Sequence, residues 1–235
     1  TNWGNEAGGG FMSSKYLNGS FTHQALTDPA TFNLYSGVDS TPTNFASWAI
    51  GTDRGFGGSR AWGGDIAEVI VYDTALSDFD RKGVEVYLDE KWGLGLGLRA
   101  SYGGGSFNDD PTSLGLLITE TRTMVLRLDA SRFRSASTSL AAWPDRSGKG
   151  HDATASSAPA VVMGEQNDLP VVRLDGSDDF LTVAHSYTTG CAFAVAKYTN
   201  TTFNWFDGLY GSGTDSSGSG MYWTGWNGGS HWDNG

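Results

Sequence analysis

A single cysteine, Cys191, stands in 235 residues. No disulfide can form within the chain, so packing and hydrogen bonds must hold the fold together. Ala192, Phe193, Ala194 and Val195 beside it predict a small buried thiol rather than a reactive one. Basic residues are scarce as well, 15 against 26 acidic ones, for a formal charge of −11. A surface of that sign repels phosphate backbones and argues against nucleic acid as a partner. No apolar run approaches the roughly 20 residues of a membrane-spanning helix, so membrane insertion is not expected. The chain opens at Thr1 with no signal-peptide pattern, which fits a processed start or a segment of a longer polypeptide. No Gly-rich phosphate loop stands between a strand and a helix. The four histidines (His23, His151, His185 and His231) show no metal-ligand spacing and read as solvent-facing or locally bonded.

Glycine and aromatics are plentiful: 34 Gly, nine Trp, nine Tyr and twelve Phe. Glycine supplies the positive-φ positions of tight turns, and large rings fill the gap between packed sheets. The pairing predicts many short strands. Ile66-Ala67-Glu68-Val69-Ile70-Val71-Tyr72 carries apolar residues on both faces, which predicts a central strand covered on both sides. Asn18-Gly19 marks a tight turn. Ser77 and Asp80 have capping-box spacing, and Val84, Tyr87, Leu88 and Lys91-Trp92 form an apolar stripe ended by Gly93, which predicts one helix over 78–92. From Gly93 the Gly-Leu repeat, Gly103-Gly104-Gly105 and Asn108-Asp109-Asp110-Pro111 look like a linker. Leu114–Thr123 is more strand-like and runs into Met124–Asp129. Leu169–Asp175 and Phe180–Val183, joined by Gly176-Ser177-Asp178-Asp179, read as a hairpin-like pair.

Residues 63–93, from Gly-Gly-Asp-Ile-Ala-Glu-Val-Ile-Val-Tyr-Asp to Tyr-Leu-Asp-Glu-Lys-Trp-Gly, resemble the closing segment of bacterial laminin-G-like, concanavalin A-like domains. Tyr16-Leu17-Asn18-Gly19 is similar to that family's internal hairpin. Leu126–Ser131, Trp143–Gly148 and Leu169–Leu181 resemble its opening half. The order is inverted: the closing half (1–97) precedes a Gly-rich linker with an exchangeable strand (98–123), and the opening half (124–235) follows. The resemblance implies an all-β, two-sheet antiparallel jelly-roll sandwich with one short peripheral helix near 78–92. Two halves in this order, together about one domain, must close within the chain or between neighbours, since half a sandwich exposes a sheet face and open strand edges. Self-association with identical chains, even a head-to-tail filament, follows from the second alternative. If the sandwich is right, Ala67, Val69, Val71, Leu126, Leu128, Val172, Leu174 and Leu181 are buried, and Ile66 and Ile70 are covered by the helix or a second sheet.

Relatives on this fold that hydrolyse glycosides place two carboxyls on one strand face, as in Glu-x-Asp-x-x-Glu. A retaining mechanism needs them about 5–5.5 Å apart. That motif is missing. Asp65 and Glu68, three apart, are expected on opposite strand faces, as are Glu68 and Asp73, so no catalytic residue is assigned. Asp175, Asp178 and Asp179 would suit Ca²⁺, a hard cation that takes oxygen ligands. The preferred alternative is a turn whose Asp side chains bond nearby backbone N–H groups. Tyr222, Trp223, Trp226, Asn227 and Trp232 have the residue types of a glycan-binding platform, with core or interface packing as the preferred alternative. The sequence thus points to a non-catalytic structural or adhesive module of an extracellular or cell-surface assembly. A carbohydrate-binding domain, with or without calcium, is the second reading, and a viral or phage surface protein the third.

Overall fold

The structure, a computed structural model, describes residues 14–21, 30–45, 47–52, 61–102, 123–199, 208–212, 220–222, 224–226 and 229–231. The strands before the helix are β1 (Ser14–Leu17), β2 (Ser20–Phe21), β3 (Asn33–Phe45), β4 (Trp48–Ile50) and β5 (Gly63–Tyr72). Helix α1 (Asp78–Trp92) and the short α2 (Leu98–Ser101) follow. Next come β6 (Met124–Asp129), β7 (Ala142–Trp143), β8 (Ala153–Ser156), β9 (Ala160–Gln166), β10 (Leu169–Asp175), β11 (Phe180–Val183) and β12 (Tyr187–Tyr198). The tail carries β13 (Gly208–Ser212), β14 (Gly220–Tyr222), β15 (Thr224–Trp226) and β16 (Gly229–His231).

Two antiparallel sheets form a β-sandwich. One runs β2-β1-β3-β12-β5-β10-β9, with β6 also on β5; the other runs β14-β13-β4-β11-β8-β7. β15 and β16 make a separate hairpin. Strands from before and after residues 103–122 alternate. β5 pairs with β12 along one edge, and on its other edge with β10 (from Gly63 to Ile66) and β6 (from Glu68 to Tyr72). β4 lies between β11 and β13. The sequence halves are therefore interleaved within one chain.

β5 is buried along its whole length, as its two-faced apolar pattern predicts. All eight residues expected in the core are buried, as are Ile66 and Ile70. The Trp48 ring lies almost parallel to those of Tyr187 (5.0 Å) and Tyr210 (4.9 Å), contacts that tie β4 to β12 and β13. Cys191 is buried, and burial pushes its thiol pKa up, away from reactivity.

Helix α1 has the predicted bounds. The Ser77 hydroxyl oxygen accepts from the Asp80 N–H at 3.1 Å, and Gly93, at φ 59°, closes the last turn while Leu94 N–H reaches the Asp89 carbonyl. Val84, Leu88 and Trp92 are buried on the outer face of the larger sheet. The Gly-Leu stretch after the helix docks on it: the Asp89 carboxylate accepts from the backbone N–H groups of Leu96 and Leu98. Residues 103–122, the rest of the expected linker and most of the strand-like 114–123 segment, lie outside the described residues.

Two expectations are corrected. β10 and β11 are not a hairpin: β10 pairs with β9 and β5 in one sheet, and β11 with β4 and β8 in the other. The 176–179 turn crosses between sheets, because Asp175 and Asp179 satisfy its amides in place of a ladder. The true hairpin is β9–β10, turning at Asn167 (φ 49°) and Asp168 (φ 58°). The second correction concerns β5. Its register with β12 shifts between Val195, opposite Glu68, and Ala196, opposite Ile66, which leaves Ala67 unpaired as a bulge. Val195 and Lys197 share a face of β12, so their partners Glu68 and Asp65 share a face of β5. Simple alternation had placed them apart.

Candidate functional site

The 176–179 turn borders an open cleft of about 450 Å³ lined by Ser157, Ala158, Arg173, Asp175, Asp178, Asp179 and Thr199 among others. Asp175, Asp178 and Asp179 each bring one carboxylate oxygen within 4.8 Å of the others. These oxygens are largely engaged. Asp175 accepts from the N–H groups of Ser177 (2.8 Å), Asp178 (3.3 Å) and Asp179 (3.4 Å). Asp179, buried, accepts from Ala158 (2.9 Å) and Asp175 (3.1 Å). That is the geometry of a side-chain-braced turn. Burial raises the Asp179 pKa and outweighs the two N–H bonds, which lower it; the neighbouring charges of Asp175 and Asp178 push it further up. Asp178 and Asp175 are exposed, so these are the oxygens a hard cation would meet first.

On the outer face of the larger sheet, Glu68 accepts from Lys91 Nζ (2.6 Å), Trp92 Nε1 (2.9 Å) and Arg127 Nε (3.0 Å), with no exposed surface. Asp129 shares both cations, at 2.6 Å from Lys91 and 3.5 Å from Arg127, and also accepts from the Ser131 hydroxyl. Burial alone would raise the Asp129 pKa; Lys91, Ser131 and Arg127 together hold it below the usual carboxylate value. Arg127 also donates to the Tyr87 hydroxyl at 2.6 Å. Asp65, on the same face, takes a two-pronged contact from Arg173 (2.6 and 2.9 Å) and a third from Lys197 (3.0 Å). Further along the helix, Glu85 is buried between Arg81 and the Ser36 hydroxyl. The bulge thus puts Asp65 and Glu68 on one face, but each is matched by two cations and closed off from solvent. Such an arrangement fixes helix and strands together.

The expected glycan platform lies largely outside the described residues. Trp223, Asn227 and Trp232 lie outside the described residues, and Tyr222 and Trp226 are described only as backbone in β14 and β15. Sequence reasoning missed the partners of the buried carboxylates. Lys91 read as the end of a helical stripe and Arg127 as part of a strand, and nothing local marks either as a counter-ion. Searches against protein-family models, curated proteins and solved structures return no match for this chain.

Proposed function

We propose that this protein is a non-catalytic structural or adhesive module, a laminin-G-like, concanavalin A-like jelly roll working outside the cell. One observation carries the reading: Asp65 and Glu68, the two carboxylates that the bulge places on one face of β5, are both buried and each is committed to two basic partners. A retaining glycosidase needs two carboxyls free to reach a bond between them. Family and location rest on the sequence resemblance together with the two-sheet architecture. Among the described residues the strands of the two halves pair within the chain, and self-association with identical chains is proposed to run by exchange of halves across residues 103–122 or by contact of closed sandwiches.

Incubation with soluble β-glucans and galactans tests the reading. No reducing ends should be released by the purified protein. Release that disappears in Glu68→Gln or Asp65→Asn, with the circular dichroism of the fold retained, overturns it.

A second reading, glycan binding, is favoured by the open cleft that Asp175, Asp178, Asp179 and Arg173 line. A glycan array probed with calcium and with chelator separates the two. Chelator-sensitive binding supports the second reading, and an empty array supports the first.

A further inference from the structure

The histidines show no metal spacing in the sequence, yet the fold brings two of them together. His151 lies in the turn between β7 and β8, and His185 in the turn between β11 and β12. Their ring centroids are 4.7 Å apart, with planes 31° from parallel. Both turns are braced. Asp145 accepts from the N–H groups of Arg127, Ser147 and His151 and from the Ser147 hydroxyl, and its own N–H donates to Asp152. Across from it, the Ser186 hydroxyl donates to Asn44 at 2.6 Å, and the His151 ring stacks on Tyr187 at 5.3 Å.

The tautomer of His151 follows from its neighbour. Nδ1 lies 2.7 Å from the Val125 carbonyl oxygen, which can only accept. Nδ1 therefore carries the hydrogen, and the Nε2 lone pair is left at the far edge of the ring. Proteins orient metal-binding imidazoles in this way, with the second ring nitrogen donating to a carbonyl. His185 is exposed, so a hydrated ion has access. With Zn–N bonds of about 2.0–2.1 Å, two imidazoles on one ion have ring centres roughly 5 Å apart. The 4.7 Å seen here is close to that.

We propose that His151 and His185 form a surface site for a borderline transition-metal dication of the zinc class, with water completing the coordination. Imidazole selects Zn²⁺, Cu²⁺ or Ni²⁺ over the hard cations that an aspartate cluster would take. The site joins two turns that are far apart in sequence.

Calorimetric titration of the whole chain with zinc chloride tests it, alongside His185→Ala, which alters an exposed side chain and should leave the urea midpoint unchanged. The wild type should give a saturable one-to-one heat, weakened at least about tenfold in His185→Ala. The imidazole proton resonances of His151 and His185 should move together on zinc addition. No saturable zinc binding by the wild type overturns the proposal. So does His185→Ala binding as tightly as the wild type, which would place the ion on other residues.

Discussion

Changing Glu68 to glutamine removes one charge from the helix–sheet interface while keeping the side chain's shape. In the wild type that carboxylate has no exposed surface and accepts from Lys91, Trp92 and Arg127 at 2.6–3.0 Å. The variant leaves two cations facing Asp129 alone, which Lys91 reaches at 2.6 Å but Arg127 only at 3.5 Å. Removing one partner of a buried ion pair costs about 3–5 kcal/mol, because the other charge stays desolvated. Lys91 keeps its short contact to Asp129 and 16% of its side-chain surface, so the lower end, about 3 kcal/mol, is expected. Urea unfolding followed by far-ultraviolet circular dichroism reads this as a fall in midpoint of at least about 1 M with the slope unchanged. Glu90→Gln is the internal comparison. Its partner Arg99 and Glu90 itself are 50% and 44% exposed, and loss of such a pair costs less than about 1 kcal/mol. Equal midpoints for Glu68→Gln and Glu90→Gln would refute the claim that the buried network holds the helix down.

Further outcomes follow from particular contacts. Gly190→Ala should destabilise the fold by about 1–3 kcal/mol or more, because a methyl group there runs into the backbone of Thr74 and Ala75; a midpoint equal to wild type would show that β12 has room to shift. Burial alone would raise the Asp145 pKa, but the hydrogen bonds from Ser147, Arg127 and His151 outweigh it and hold the folded value below the usual one. The stability this contributes is fully present above the unfolded value, near 3.9, and is lost as the pH falls through the folded value. Urea midpoints measured from pH 6 down to pH 3 should therefore fall less steeply in Asp145→Asn, and parallel curves would contradict this. Cys191 should react with a thiol reagent only as fast as the protein unfolds, because it has no exposed surface; rapid labelling of the native protein would show the strand to be open.

Much of the fold was legible because local chemistry sets it. The cap at Ser77, the left-handed stop at Gly93 and the stripe between them mark α1, and the two-faced apolar run marks β5 as central. Asn18 (φ 51°) and Gly19 (φ 78°) turn as the Asn-Gly pair predicts, with Leu17 opposite Ser20. The misreadings share one cause, dependence on partners remote in sequence. The bulge at Ala67 is a register decision made with β12, more than 120 residues away, and β5 alone alternates without a mark. Asp175 to Asp179 has the composition of a hairpin turn; which sheet receives the next strand depends on β4 and β8. Glu68 meets Lys91 and Arg127 only once helix and sheet are assembled, and His151 meets His185 across two separate turns. Of the candidate sites, the aspartate turn was legible as a cluster because its members are adjacent.

Strands from both sides of residues 103–122 complete one sandwich inside a single chain. Size-exclusion chromatography with light scattering over a wide range of micromolar concentrations measures this directly. A sharp species of 25.0 kDa, unchanged on dilution, is the predicted result. A dimer, or a ladder of larger assemblies, that persists on dilution and loses its far-ultraviolet strand signal when forced apart into 25.0 kDa chains would mean that the halves pair between chains and would contradict the single-chain sandwich.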